Sequence, residues 1–176
     1  PGQYLTFQLK VPDHSKPIIR CYSLSDSPTE TDHYRVTIKR IGAPPKNPDA
    51  PPGVSSNYFH KELAEGDILD VRAPGGAFYL NEKLDRPVVL IAGGIGLTPV
   101  LSMLDQIYRT GSKRETWFFY GVRNRSEHIM YDRLAEISST HENINIVVCY
   151  SSPNESDKIG LDYQHEGFVS VELFKK

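Results

Sequence analysis

Cysteine is scarce in this chain: there are two among 176 residues, Cys21 and Cys149, far apart in sequence. They make no metal-ligand spacing and no disulfide framework. A reducing, cytoplasmic compartment is the simplest reading. An iron–sulfur cluster held within the chain is excluded, because such clusters take about four ligands. Long apolar runs are missing as well: none exceeds Val88–Ala92, which is far too short to cross a bilayer. No charged stretch followed by an apolar one opens the sequence, so neither a signal peptide nor membrane insertion is expected. The net charge of −2 gives no electrostatic case for nucleic acid or an anionic membrane. The six histidines show no ligand spacing, so no metal site is expected.

What is present falls into two differently patterned parts. Tyr4–Leu9 alternates with a period near two, Ile18–Leu24 forms a second strand, and Tyr34–Arg40 alternates as a third. Gly42–Gly53 carries five prolines and excludes a helix or central strand. Asn57–Leu63 suits a short helix, and Ile68–Ala73 a strand that runs into the turn Pro74-Gly75-Gly76. Short strands separated by turns predict a small antiparallel barrel or sandwich. After Arg86-Pro87 the pattern changes. Val88–Ala92 is a continuous β-branched run of the kind found in a parallel strand covered on both faces. A helix with Val100, Leu101, Leu104, Ile107 and Tyr108 at amphipathic spacing follows, then a strand at Thr116–Tyr120, a helix at Ile129–Ile137 and a strand at Ile144–Tyr150. Such a β-α-β-α-β order is half of a doubly wound parallel sheet. Two domains are expected, residues 1–85 and 86–176. The ends, Pro1-Gly2 and Lys175-Lys176, read as cuts through something longer, so the fold is expected to be truncated at both ends.

Three stretches carry chemistry. Gly93-Gly94-Ile95-Gly96-Leu97-Thr98-Pro99 lies where the first parallel strand gives way to a helix. Glycines there let backbone approach a pyrophosphate, and a helix start offers free N–H groups. Thr98 is expected as N-cap and Pro99 as the first helical residue. The spacing is not G-x-G-x-x-G, and a glycine turn serving only tight strand–helix packing is the alternative. In Arg20-Cys21-Tyr22-Ser23, Arg20 and Tyr22 share one strand face, which suits a flat ligand with a charged tail. Taken alone, a plain strand with a snorkelling arginine and a core tyrosine explains those residues better. Gly53-Val54-Ser55-Ser56-Asn57 enters a helix and suits a second phosphate, or simple N-capping. Arg123 and Arg125 suit the adenosine end of a dinucleotide or a solvated loop. Cys21 is expected as a small buried residue.

Together and in order, R-x-Y-S at Arg20–Ser23, the glycine–serine helix start, Pro74-Gly75-Gly76-Ala77-Phe78 and G-G-x-G-x-T-P at Gly93–Pro99 resemble the ferredoxin-NADP reductase superfamily. The nearest likenesses are the reductase part of flavohaemoglobins and the reductase components of oxygenases. The opening Pro-Gly-Gln-Tyr, Tyr150-Ser151 and Gly160–Tyr163 support this placing. The resemblance implies an antiparallel flavin-binding β-barrel followed by a parallel-sheet NAD(P)-binding domain. It also implies an NAD(P)H-dependent oxidoreductase that passes a hydride to FAD (FMN in some relatives) and electrons to a haem or [2Fe-2S] domain or protein. By position, Arg20 would neutralise the flavin phosphate, Tyr22 would stack on the ring, Tyr4 and Cys21 would lie beside it, and Ser23 would hydrogen-bond near the reacting nitrogen. Gly53, Val54, Ser55 and Ser56 would hold the pyrophosphate, with Lys39 on a flanking strand. Gly93, Gly94, Ile95, Gly96, Leu97, Thr98 and Pro99 would take NADH or NADPH, with Thr98 at the reactive ring. The rival reading is a flavin-binding electron-transfer or regulatory subunit that never oxidises NAD(P)H itself.

Overall fold

Leu5, Phe7 and Leu9 turn inward from strand β1 (Tyr4–Leu9), as period-two alternation requires. β1 is the centre of a three-stranded antiparallel sheet, flanked by β2 (Ile18–Ser23) and β3 (Asp70–Gly75). Its register sets Leu5 opposite Tyr22 and Phe7 opposite Arg20. The inward residues pack against Tyr22, Leu24, Val36, Phe59 and Leu69, forming the smaller of two cores. Helix α1 (Val54–Lys61) supplies Tyr58 and Phe59 to that core and starts three residues before the sequence pattern suggested. The computed structural model describes residues 1–175.

The alternating stretch Tyr34–Arg40 is not a strand. It touches β2's continuation at a single antiparallel bridge, Leu24 with Val36, backed by the Ser25 amide donating to the Arg35 carbonyl. Its alternation does turn Val36 inward, but Thr37, Ile38 and Lys39 border a cleft where no neighbouring strand offers ladder partners.

The second half builds a parallel sheet in the order β4 (Val88–Gly93), β5 (Thr116–Val122), β6 (Ile144–Tyr150) and β7 (His165–Glu166). Helices α2 (Leu97–Arg109) and α3 (Tyr131–Thr140) make the crossovers. Two successive right-handed crossovers in one direction put both helices on the same face. The larger core lies there: Val100, Leu101, Leu104 and Ile107 of α2 and Leu134 and Ile137 of α3 meet Leu90, Phe118, Tyr120 and Val148. Hence β4 is covered on one face among the described residues, not on both. Leu90 and Ala92 are buried, whereas Val89 and Ile91 are about half exposed. On that second face the segment after β7 brings Val169 against Gly121 and sets Phe174 edge-on to Phe119.

Candidate functional site

β2 and the turn that follows β4 open onto one cleft of about 470 Å³, within the range of small-molecule sites. The first half contributes Arg20, Cys21, Tyr22 and Ser23 from β2, Thr37–Lys39 and Ile41, and Gly53–Ser56 at the start of α1. The second half contributes Ile95, Gly96, Thr98 and Pro99. The three stretches singled out from the sequence therefore share one cavity.

Tyr22 is braced edge-on by Phe7 and Phe59, with ring centroids 5.8 and 5.3 Å away. Burial pushes its phenol above the ordinary tyrosine range, against the opposing pull of the Arg20 charge, so it stays neutral. Arg20 lies along its own strand, with Nη1 donating to the Ile19 carbonyl at 2.7 Å. Cys21 is exposed rather than buried, with its sulfur 3.5 Å from the Thr6 hydroxyl. A β2 edge facing a cleft has no neighbour to cover it. Cys149 is the buried thiol, pushed up to about 11 by burial. Tyr4 does not border the cleft. Its ring lies over Gly76, where φ is +108° and an added Cβ would come within 2.7 Å of the ring.

The two serines of α1 have separate tasks. Ser56 Oγ accepts from the Ile41 amide and donates to the Gly53 carbonyl, both at 3.1 Å. Asn57 reaches the Ile41 and Gly53 carbonyls, both at 2.8 Å. These side chains pin the end of the proline-rich loop to the helix; neither caps it, since the N-cap is Gly53 with no side-chain cap bond. Ser55 Oγ is buried in the cleft wall with no partner. A buried hydroxyl without a partner is costly, and here it stands beside helix-start amides that lack intrahelical acceptors. That is the donor set a phosphate oxygen takes.

At the glycine-rich turn, residues 94–96 form a 3₁₀ turn before α2, the N-cap is Gly96, and Thr98 and Pro99 fall inside the helix. Thr98 instead donates to the Ile95 carbonyl at 3.3 Å. A Cβ added at Gly93, Gly94 or Gly96 would meet nothing within 4 Å, so these glycines do not serve strand–helix packing. They front open space, and Gly94 holds a φ of +48° that L side chains rarely adopt. Leu97 turns away into the core and is fully buried. These features fit a flavin and a dinucleotide approaching through their phosphates.

Arg123 borders an adjoining cavity with Lys39, Gly94, Ile95 and Glu127. Gly93 borders another, with Gly121, Arg123 and Ser151. Glu127 pairs with Arg123 and, from the other half of the chain, with Lys39 at 3.5 Å; hydrogen bonding to Arg123 above all holds its carboxyl below the ordinary range. Arg125 stacks over the Tyr131 ring at 3.8 Å. The sequence reading missed Thr37, Ile38 and Ile41 as cleft residues. Lys39 is expected there from the family resemblance alone, and its neighbours Thr37, Ile38 and Ile41 line the same wall. Among the described residues no group of three or more His, Cys, Asp or Glu side chains could hold a metal ion, and no helix is long and apolar enough to cross a membrane.

Comparison with known proteins agrees with this geometry. Residues 1–79 match the family described as an oxidoreductase FAD-binding domain, and residues 90–176 the oxidoreductase NAD-binding domain. A flavohemoprotein of Halalkalibacterium halodurans is 42% identical over 175 residues, covering 99% of this chain and 42% of that protein. A flavohemoprotein of Rhizobium meliloti is 40% identical over 179 residues, again covering 99% and 42%. The chain thus spans about two fifths of the length of the curated relatives it matches. The flavohem-like FAD/NAD-binding domain of nitric oxide dioxygenase from Vibrio cholerae superposes with a TM-score of 0.79 at 27% identity, covering 97% of this chain and 66% of that one. The cytochrome b5 reductase domain of Ulva prolifera nitrate reductase shares the fold, with a TM-score of 0.79 at 22% identity over 99% and 68% of the two chains. With an antiparallel sheet in the first half, a parallel sheet in the second and both family matches in the same order, the chain belongs to the oxidoreductases built from an FAD-binding and an NAD-binding domain, and it shares the fold of ferredoxin-NADP reductase.

Proposed function

We propose that this chain is the reductase portion of a flavohemoprotein-like enzyme, with an FAD-binding domain over residues 1–85 and an NAD(P)H-binding domain from residue 86, working in the cytoplasm. The observation that carries this reading is the single cleft walled by Arg20–Ser23 and Gly53–Ser56 on one side and by Ile95–Pro99 on the other. The cofactors bring the redox chemistry: hydride transfer from a reduced nicotinamide to flavin, then release of electrons one at a time. The chain's own residues bind, orient and shield. Arg20 neutralises the flavin phosphate, Tyr22 offers a braced aromatic surface to its ring, and Ser23 donates near the reacting nitrogen. The start of α1 takes the pyrophosphate on backbone amides and on the Ser55 hydroxyl. The turn Gly93–Pro99 takes the nicotinamide nucleotide, with Thr98 beside the reactive ring and Arg123 towards the adenosine end. No side chain in the cleft is required as acid or base. The acceptor is haem on a neighbouring domain or partner, supported by the names of the flavohemoproteins this chain is similar to.

The test is an anaerobic absorbance titration of the FAD-loaded protein with NADH and with NADPH. Loss of the oxidised-flavin bands with either nucleotide is expected; bands that persist with both would favour an electron-transfer or regulatory subunit. Arg20→Ala removes a charge-assisted hydrogen bond of about 2 kcal/mol. It should weaken FAD binding about thirtyfold, and unchanged flavin content would remove Arg20 from the site.

A further inference from the structure

Each wall of the cleft continues into a buried polar contact with the other. β2 ends at Ser23, and the chain runs on to Asp26 and Ser27; α2 begins beside Thr98 and runs on to Ser102 and Gln106. Ser102 Oγ donates to the Asp26 carbonyl at 2.6 Å, and Ser27 Oγ donates to Gln106 Oε1 at 2.5 Å. The other end of the Gln106 amide donates to Glu82 at 2.8 Å, in the segment that joins the two halves. Ser27 and Ser102 are 2% and 0% exposed, so these bonds are made away from water. Outside them Arg109 pairs with Glu30 and with Asp26 at 3.6 Å, and Arg35 reaches Asp26 at 2.9 Å.

Thr98, Ser102 and Gln106 follow one another at four-residue steps, so they form one stripe along a rigid helix, about 6 Å per step. The cleft residue and the two contact residues thus move as one body. On the opposite wall Ser23 and Ser27 are also four residues apart. Apolar contacts between the halves would tolerate sliding. Buried hydrogen bonds are directional, and a slipped register leaves them unpaired at about 1–3 kcal/mol each.

We infer that Ser27, Ser102 and Gln106 form a positioning clasp that sets the distance between the Tyr22–Ser23 wall and the Thr98 wall, and through it the rate at which a hydride crosses. This rests on the reading given under the proposed function. The step it governs moves one hydride, two electrons with one proton, from nicotinamide to flavin, and an ångström of misplacement in such a step can cost about a hundredfold. None of the three residues borders the cleft.

The experiment compares the FAD-loaded full-length protein with Ser27→Ala and Gln106→Leu. The FAD dissociation constant should stay within threefold of wild type, while flavin bleaching at saturating nucleotide slows at least tenfold. The deuteride isotope effect should become more temperature-dependent. Amide exchange should quicken in residues 24–30 and 102–109 without flavin release. Ser102→Ala removes only the hydroxyl donated to the Asp26 carbonyl and reads the same split if Ser27→Ala folds poorly. Wild-type bleaching rates in variants whose clasp amides exchange faster would overturn the clasp. Wild-type protein that is not bleached by either nucleotide would instead overturn the proposed function on which it rests.

Discussion

Ser55 and Ser56 are chemically identical neighbours with opposite accounts. Ser56 has both a donor and an acceptor partner, so Ser56→Ala should lower stability whether or not FAD is present. Ser55 is 5% exposed and its hydroxyl has no partner, a cost of about 1–3 kcal/mol in the free protein. Ser55→Ala should therefore raise the melting temperature of the FAD-free protein and weaken FAD binding by about tenfold, the loss of one hydrogen bond to a charged group. Thermal melts without FAD, paired with FAD titrations, check both signs; wild-type affinity in Ser55→Ala would take the hydroxyl out of the site. The dipeptide did not distinguish the two serines, because the distinction is made by Ile41, fifteen residues away and across a proline-rich loop. In the same way nothing in Asp26-Ser27 marked it as a contact for α2, whose partner atoms lie 76 and 79 positions along the chain. What could be read at this scale was backbone chemistry: Gly94 sits at positive φ and its neighbours front open space, as an approach to phosphates requires.

Elements whose side chains meet their partners through regular periodicity were legible, and those that depend on an irregular neighbour were not. β5 and β6 are apolar and buried at their ends, and their existence and order followed from the pattern. Tyr34–Arg40 carries the same alternation, yet borders a cleft and forms no ladder. The turn leading into α3 was likewise invisible in the sequence. There His128 is 6% exposed, with Nδ1 hydrogen-bonded to the Tyr150 hydroxyl at 2.8 Å. Burial first, and the Arg125 charge second, lower its pKa from 6.5 to about 4. The folded state therefore binds fewer protons than the unfolded chain between those values. His128's contribution to stability is complete above pH 6.5 and is lost as pH falls towards 4. Melting temperature should drop across that window, and His128→Gln, which cannot titrate, should flatten the drop. Parallel curves for variant and wild type between pH 6.5 and 4.5 would mean that other groups set the slope.

Across the whole molecule, two sheets with separate cores meet at a polar seam and at a cleft walled by both halves. A ligand walled by both halves stabilises whatever unfolds together with its site, by about 2.7 kcal/mol at a hundredfold excess over its dissociation constant. Trp117, the chain's one tryptophan, reports on the second half alone: it lies on β5, stacked against Phe119 with centroids 6.1 Å apart, and does not border the cleft. If the halves unfold as a unit, saturating FAD should raise the Trp117 fluorescence transition by about 5–10 °C, the shift such an energy gives in a domain of this size. The transition should coincide with flavin release. In Ser27→Ala or Gln106→Leu, where the seam is loosened, flavin should depart first and the Trp117 transition should lose most of its dependence on FAD. A Trp117 transition that ignores FAD in the wild type would show that the nucleotide half stands independently, and that the Ile95–Pro99 wall contributes nothing to flavin binding energy. A shift retained in the clasp variants would assign the coupling to the flavin itself, bridging Gly53–Ser56 and Ile95–Pro99, with the protein seam secondary.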